Sequence, residues 1–225
     1  MASLITNAST TQIAALSTAA LARLTSEDWL AFSTDQFQAL TTSQFASLTS
    51  RAVSYFTTTQ LAALETRDLQ AFSTSALGAL TTLQLGALNT DNIAALTTTQ
   101  VAALNSVQVA GLSTTQMQAL ETGDVRALTS TALRALSTAQ LEALGSDQIG
   151  ALGTGQINAL TTAQIAGLVS DDLNALTTSQ IRALSSSQIA ALTTSQISTL
   201  ETADVAGLGT NQIACLLYTS PSPRD

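Results

Sequence analysis

The chain has 225 residues and a net charge of −8, and apolar residues make up 45% of it while charged residues make up only 10%. This apolar content is too high for a disordered chain, and scattered arginines in an acidic sequence argue against nucleic-acid binding. Histidine and lysine are absent, and no apolar run approaches the ~18 residues of a membrane span. We therefore expect neither a catalytic base nor a membrane-spanning segment.

Residues 1–8 (MASLITNA) form a short lead-in before the first full repeat. A secretory signal needs a basic stretch followed by an apolar core, and the lead-in has neither. Cysteine is absent before Cys215, which leaves an extracellular location open.

From Ser9 to Leu216 an eight-residue unit repeats 26 times without an insertion or a deletion. We number this octad so that TTSQIRAL, from Thr177 to Leu184, runs from position one to position eight. A fixed period of this kind indicates a repeat architecture. We assign residues 9–214 to a single solenoid.

Each position of the octad has its own residue preference. Position two is always Thr or Ser, position four is mostly Gln, position five is always large and apolar, and position eight is Leu or Phe. Position seven is small in nearly every copy, with Arg23 and Tyr55 as large outliers. Positions three and six vary freely, so we expect their side chains to face solvent.

Among regular backbones, only a short helix in each octad fits this pattern. A strand would place positions five and eight on opposite faces, and one continuous helix would rotate the apolar stripe by about 80° per copy. In a short helix these positions are neighbours on one face, and Thr/Ser-x-x-Gln is a capping-box signature. The predicted core side chains at position five include Ile13, Trp29, Phe37, Phe45, Leu61, Ile165, Ile181 and Ile189. The predicted capping hydroxyls are those of Thr162, Thr178 and Thr194 at position two, with position one as the alternative.

A helix of about two turns is too short to be stable alone in water. The predicted fold class is therefore an all-α solenoid of stacked short helices that forms an extended superhelix. The simplest expectation is two octads in each superhelical turn.

No catalytic, cofactor-binding or metal-binding residue is predicted. The hydroxyls have no base beside them, and the acidic residues fit first helical turns better than a calcium site. Trp29, Phe37 and Phe45 could form an exposed stacking platform, but core packing is the stronger interpretation. Arg126 and Arg134, one octad apart, fit a solvated face better than a basic ridge.

Residues 215–225 (CLLYTSPSPRD) depart from the octad and contain the only cysteine and both prolines. They resemble the translation of a sequencing adapter. We expect them to be an artefactual tail, with the natural array cut inside a longer one.

The phrase LTTAQIAGL, from Leu160 to Leu168, resembles octapeptide tracts of very large bacterial repeat proteins, often described as haem-utilisation or adhesin-like surface proteins. No haem-ligand pattern accompanies it, so no cofactor is implied. The resemblance implies a non-enzymatic structural or spacer segment of a surface or secreted protein, and a protein- or peptide-binding solenoid is the alternative. The expected partners are other proteins or flanking domains, with no nucleic acid and no small-molecule substrate.

Overall fold

Each octad contains one short α-helix. The computed structural model describes residues 5–219, and every regular element within that range is helical. This confirms the predicted all-α repeat. The helices are α1 (Thr10–Ala14), α2 (Thr18–Leu21), α3 (Ser26–Leu30), α4 (Thr34–Gln38), α5 (Thr42–Ala46), α6 (Ser50–Val53), α7 (Thr58–Ala62), α8 (Thr66–Gln70), α9 (Thr74–Gly78), α10 (Thr82–Gly86), α11 (Thr90–Ala94), α12 (Thr98–Ala102), α13 (Ser106–Ala110), α14 (Thr114–Ala119), α15 (Thr122–Ala127), α16 (Ser130–Ala135), α17 (Thr138–Glu142), α18 (Ser146–Gly150), α19 (Thr154–Ala159), α20 (Thr162–Ala166), α21 (Ser170–Asn174), α22 (Thr178–Ala183), α23 (Ser186–Ala190), α24 (Thr194–Thr199), α25 (Thr202–Gly207) and α26 (Thr210–Thr219).

Each helix begins after position one of the octad, and in most copies the side chain at position one caps the helix. In α20 the Thr161 hydroxyl accepts a hydrogen bond from the Gln164 backbone N–H, and Gln164 Oε1 accepts one from the Thr161 N–H at 2.8 Å. The prediction of position-two caps was therefore wrong, because those hydroxyls belong to the first helical residue, where they cannot reach the N–H groups of the first turn. The residues concerned are Thr162, Thr178 and Thr194, and the caps are Thr161, Thr177 and Thr193.

Each helix ends without a left-handed residue. Position seven stays in the right-handed helical region, as at Gly167 (φ −86°, ψ −8°), and the Leu168 N–H then donates to the Ile165 carbonyl at 3.2 Å. None of the described residues has a positive φ. The chain leaves each helix in an extended conformation at position eight, as at Leu120 (φ −65°, ψ 137°).

The described residues divide into two compact units, one ending at Leu120 and the other beginning at Glu121. Within each unit a helix packs against the third helix after it, as α4 does on α7 and α5 on α8 in the first, and α18 on α21 and α19 on α22 in the second. Hydrogen bonds also join octads four apart, as between Gln44 and Ile13. One superhelical turn therefore takes between three and four octads. The expectation of two was wrong, because two such short helices cannot surround the large side chains at positions five and eight.

These large side chains form the core of each unit. The eight side chains predicted for it are each 0–1% exposed. In the first unit Trp29 stacks on Phe32 with ring centroids 5.1 Å apart, and Phe37 meets Phe56 edge-on at 4.9 Å. Since Trp29, Phe37 and Phe45 are each 0% exposed, they pack in the core and offer no stacking platform.

Regular or buried structure extends beyond both predicted limits of the array. Ile5 in the lead-in is buried, the Ala8 N–H donates to its carbonyl, and Gln36 Nε2 donates to the Ile5 and Ala8 carbonyls at 2.9 and 2.8 Å. The lead-in thus resembles the second half of an octad. At the other end α26 runs through Cys215, and residues 220–225 of the predicted tail lie outside the described residues.

Candidate functional site: the glutamine ladder and the outer surface

The position-four glutamines link each octad to the one four copies earlier. Gln44 Oε1 accepts from the Thr41 N–H at 2.6 Å, while Gln44 Nε2 donates to the carbonyls of Ile13 at 3.0 Å and Leu16 at 2.8 Å. A single side-chain amide therefore satisfies the start of its own helix and the end of another. We call this set of amides the glutamine ladder. The glutamines that make its bonds between octads include Gln36, Gln44, Gln60, Gln84, Gln100, Gln108, Gln116, Gln156, Gln164, Gln180, Gln188, Gln196 and Gln212.

The glutamine ladder matters for stability because its atoms are buried. Gln164 is 2% exposed, and its Nε2 donates to the carbonyls of Leu133 at 2.8 Å and Leu136 at 2.9 Å. The last carbonyls of a helix have no partner within it. A buried carbonyl left unpaired costs about 1–3 kcal/mol. The ladder removes this cost at each helix end that it reaches.

The sequence predicted only the local half of this arrangement. Thr/Ser-x-x-Gln indicated a capping box, which uses the amide oxygen, but gave no role to the amide nitrogen. The preference for Gln over Glu is the signal that could have revealed it, because both can close a capping box and only Gln offers an N–H donor.

The position-two residue lies against the third octad after it. A Cβ added at Gly111 or Gly207, both at position seven, would come within 2.6 Å of the Cγ2 atom of Thr82 or Thr178. Position seven is therefore small because helices approach closely there. This contact also explains why position two never carries a residue larger than Thr.

In three octads with Asp at position four, the carboxylate accepts a hydrogen bond from the position-two hydroxyl three octads earlier. Thr42 donates to Asp68 at 2.6 Å, Ser146 donates to Asp172 at 2.9 Å, and Thr178 donates to Asp204 at 2.9 Å. Each pair joins octads three apart. An ionised Asp has no N–H, so these octads do not contribute to the glutamine ladder.

Asp172 is the least well satisfied of these carboxyls. It is 3% exposed, and its Oδ2 atom has no hydrogen-bond partner. Burial raises the pKa of Asp172 above its ordinary value; the bond from Ser146 opposes this, and the charges of Asp171 and Glu142 add to it. The pKa of Asp124 is also raised, mainly by burial. Burial therefore disfavours the charged form of both carboxyls.

The outer surface is formed by positions three and six. Arg126 and Arg134 are exposed there. The position-six amide of Asn158 is also exposed, and it donates to the Ala183 carbonyl at 2.8 Å. Among the described residues, no three metal-binding side chains come together, and none of the helices is long and apolar enough to cross a bilayer.

Comparison with known proteins identifies the repeat. A family model described as the ALTTAQ repeat matches residues 30–66, 61–98, 93–122, 117–154 and 165–202, which together are more than half of the chain. A search of the curated proteins found no match.

Proposed function

Because the chain belongs to the ALTTAQ repeat family, we propose that it is a non-enzymatic spacer that holds flanking domains of a larger bacterial surface or secreted protein apart. The supporting observation is the glutamine ladder, which uses the recurrent polar groups of the octad to join successive turns. The outer positions that remain carry mostly small residues. A spacer needs continuous, repeated contacts, and repeat arrays provide them through neighbours alone.

Deletion of whole octads tests this role. Removing octads 17–20 (residues 137–168) joins two intact octads, and the fold should remain because every position keeps its class of residue. We expect unchanged circular dichroism per residue. The maximum dimension from small-angle X-ray scattering should shrink in proportion to the octads removed.

The matched control removes residues 137–164 and so shifts the frame by half an octad. It should lose helicity, because small or polar side chains would then occupy core positions. If the whole-octad deletion loses helicity in the same way, or leaves the maximum dimension unchanged, the spacer role is wrong.

The surface location has a separate test, which is the sequence of the gene on either side of the array. A secretion or anchoring domain there supports the surface location, and cytoplasmic enzyme domains alone contradict it.

A protein- or peptide-binding role is the second candidate, and two exposed apolar residues favour it. Leu83 and Val107 are 73% and 68% exposed at position three of α10 and α13, which pack together. Peptides selected on the chain by phage display should lose binding in the double variant Leu83→Thr/Val107→Thr. If no selected peptide depends on these two residues, the binding role fails.

A further inference from the structure

Octads 6, 9 and 16 carry Ala at position four and so offer no amide to the glutamine ladder, and a cavity lies beside the Ala of octad 6. Octad 6 carries Ala52 at position four, so no amide reaches octad 2. In octads that the ladder joins, the amide donates to carbonyls at positions five, six and eight, as Gln44 does to those of Ile13, Ala14 and Leu16.

The equivalent positions of octad 2 are Leu21, Ala22 and Leu24, and all three line a cavity of about 260 Å³ that Ala52 also lines. The cavity thus lies where a glutamine side chain stands elsewhere in the array. The helix end that such an amide would satisfy forms one wall of it.

The two large outliers of position seven also line this cavity. Arg23 belongs to octad 2 and Tyr55 to octad 6, and Arg51 lies beside them. Arg51 Nε donates to Tyr55 Oη at 3.2 Å. Position seven elsewhere faces a close Thr methyl group, as Gly111 does at Thr82. A phenol ring cannot fit such a space.

The local charge differs in sign from that of the whole chain. Two arginines line a cavity in a protein whose net charge is −8, and among the described residues neither of them forms an ion pair. An arginine guanidinium is always charged in proteins, and the bond to Tyr55 raises the pKa of Arg51 further. Arginine donors in a fork geometry are suited to bind a carboxylate.

We propose that this cavity binds a small organic carboxylate that also carries an N–H donor. The carboxylate pairs with Arg23 and Arg51, and the N–H group donates to the carbonyls of Leu21 and Leu24, as a ladder amide does in other octads. This proposal departs from the expectation that the chain takes no small-molecule substrate, and it is independent of the spacer role.

Isothermal titration with three related probes tests the proposal. Succinamate has one carboxylate and one primary amide, succinate has two carboxylates, and succinamide has two amides. Succinamate should bind with about tenfold higher affinity than either of the others, because each of them lacks one of the two matching groups.

Two variants locate the binding. Ala52→Gln puts the array's own residue into the cavity, so the chain should keep its circular dichroism and lose succinamate binding. Arg51→Gln should weaken binding about tenfold, through loss of a charge-assisted hydrogen bond. Arg126→Gln, at an exposed arginine of the second unit, should change nothing.

Three results would overturn the proposal. The first is no saturable binding of succinamate. The second is binding that Ala52→Gln or Arg51→Gln leaves unchanged, which would place it elsewhere. The third is binding of succinate or inorganic phosphate as tight as that of succinamate, which would indicate a simple anion site without the N–H recognition.

Discussion

At the scale of single residues, glutamine at position four carries out two tasks with its two polar atoms. The oxygen of Gln188 accepts from the Ser185 N–H at 2.7 Å, and its nitrogen donates to the carbonyls of Ile157 and Leu160 at 3.0 and 2.8 Å. Met has a similar length but offers neither polar group, and Glu would lose the donor. The octad therefore keeps an amide where a local cap alone would accept several residues.

Replacing a buried ladder amide should be costly. We expect Gln164→Met to lower the free energy of unfolding by about 1–3 kcal/mol, because it leaves the buried Leu136 carbonyl unpaired, while the Leu133 carbonyl keeps its bond from the Leu136 N–H. Urea denaturation followed by circular dichroism measures the change.

Gln12→Met is the matched control, since Gln12 is exposed and bonds only to Ser9 among the described residues. This variant should lower the free energy of unfolding by less than about 1 kcal/mol. Equal losses would contradict the importance of the bond between octads.

Asp172 should make stability depend on pH. Because burial raises its folded-state pKa, the unfolded chain releases this proton first as pH rises. The protonated carboxyl makes its full contribution to the free energy of unfolding below the ordinary Asp pKa of about 3.9. This contribution is lost as the pH rises through the pKa of the folded state.

Asp172→Asn should remove this dependence and add about 1–2 kcal/mol of stability at neutral pH. The equivalent residue Asn92 donates to the Leu64 carbonyl at 3.0 Å, so the new amide should reach the carbonyl of Leu144. Urea titrations at several pH values measure both effects. Asp171→Asn, at the exposed neighbour, should retain most of the pH dependence, and a matching loss in both variants would refute the assignment.

At the scale of the element, the short helix and its apolar face could be predicted from one octad. The large apolar residues at positions five and eight define the buried face of the helix. Ile13 and Ile189, both at position five, are buried as this local rule predicts. The cap could not be decided, because Thr161 and Thr162 both carry a hydroxyl and differ only in backbone conformation. The constancy of position two has its cause three octads away, where no local pattern can show it.

A missing cap gives the element-scale prediction. Val169 stands at the N-cap of α21 without a side-chain hydrogen bond. Val169→Thr should stabilise the protein by about 0.5–1.5 kcal/mol by closing a capping box with Asp172, as Thr25 does with Asp28. Chemical denaturation at neutral pH measures this gain in stability. Val107→Thr is the control, because it makes the same Val-to-Thr change at an exposed residue in position three. A gain no larger than that of the control would show that position one has no capping role here.

At the scale of the whole molecule, the periodic sequence left the superhelical turn undetermined. Since most octads offer the same Gln, Leu and Thr, the repeated pattern does not mark which copy pairs with which. Within each unit the neighbours lie three and four octads away. The cavity beside Ala52 was equally hidden. Arg23 and Tyr55 were visible as outliers, but their proximity depends on the superhelix.

The spacing of the glutamine ladder sets a minimum length for folding. A fragment of residues 137–168 spans four octads and contains no ladder bond between octads. A fragment of residues 137–200 spans eight, with three such bonds, from Gln180, Gln188 and Gln196. Isolated short helices are unstable in water, so the shorter fragment should give a random-coil circular dichroism spectrum. The longer one should be helical and unfold cooperatively in urea. Substantial helicity in the four-octad fragment would mean that local capping, rather than contact between turns, stabilises the octad.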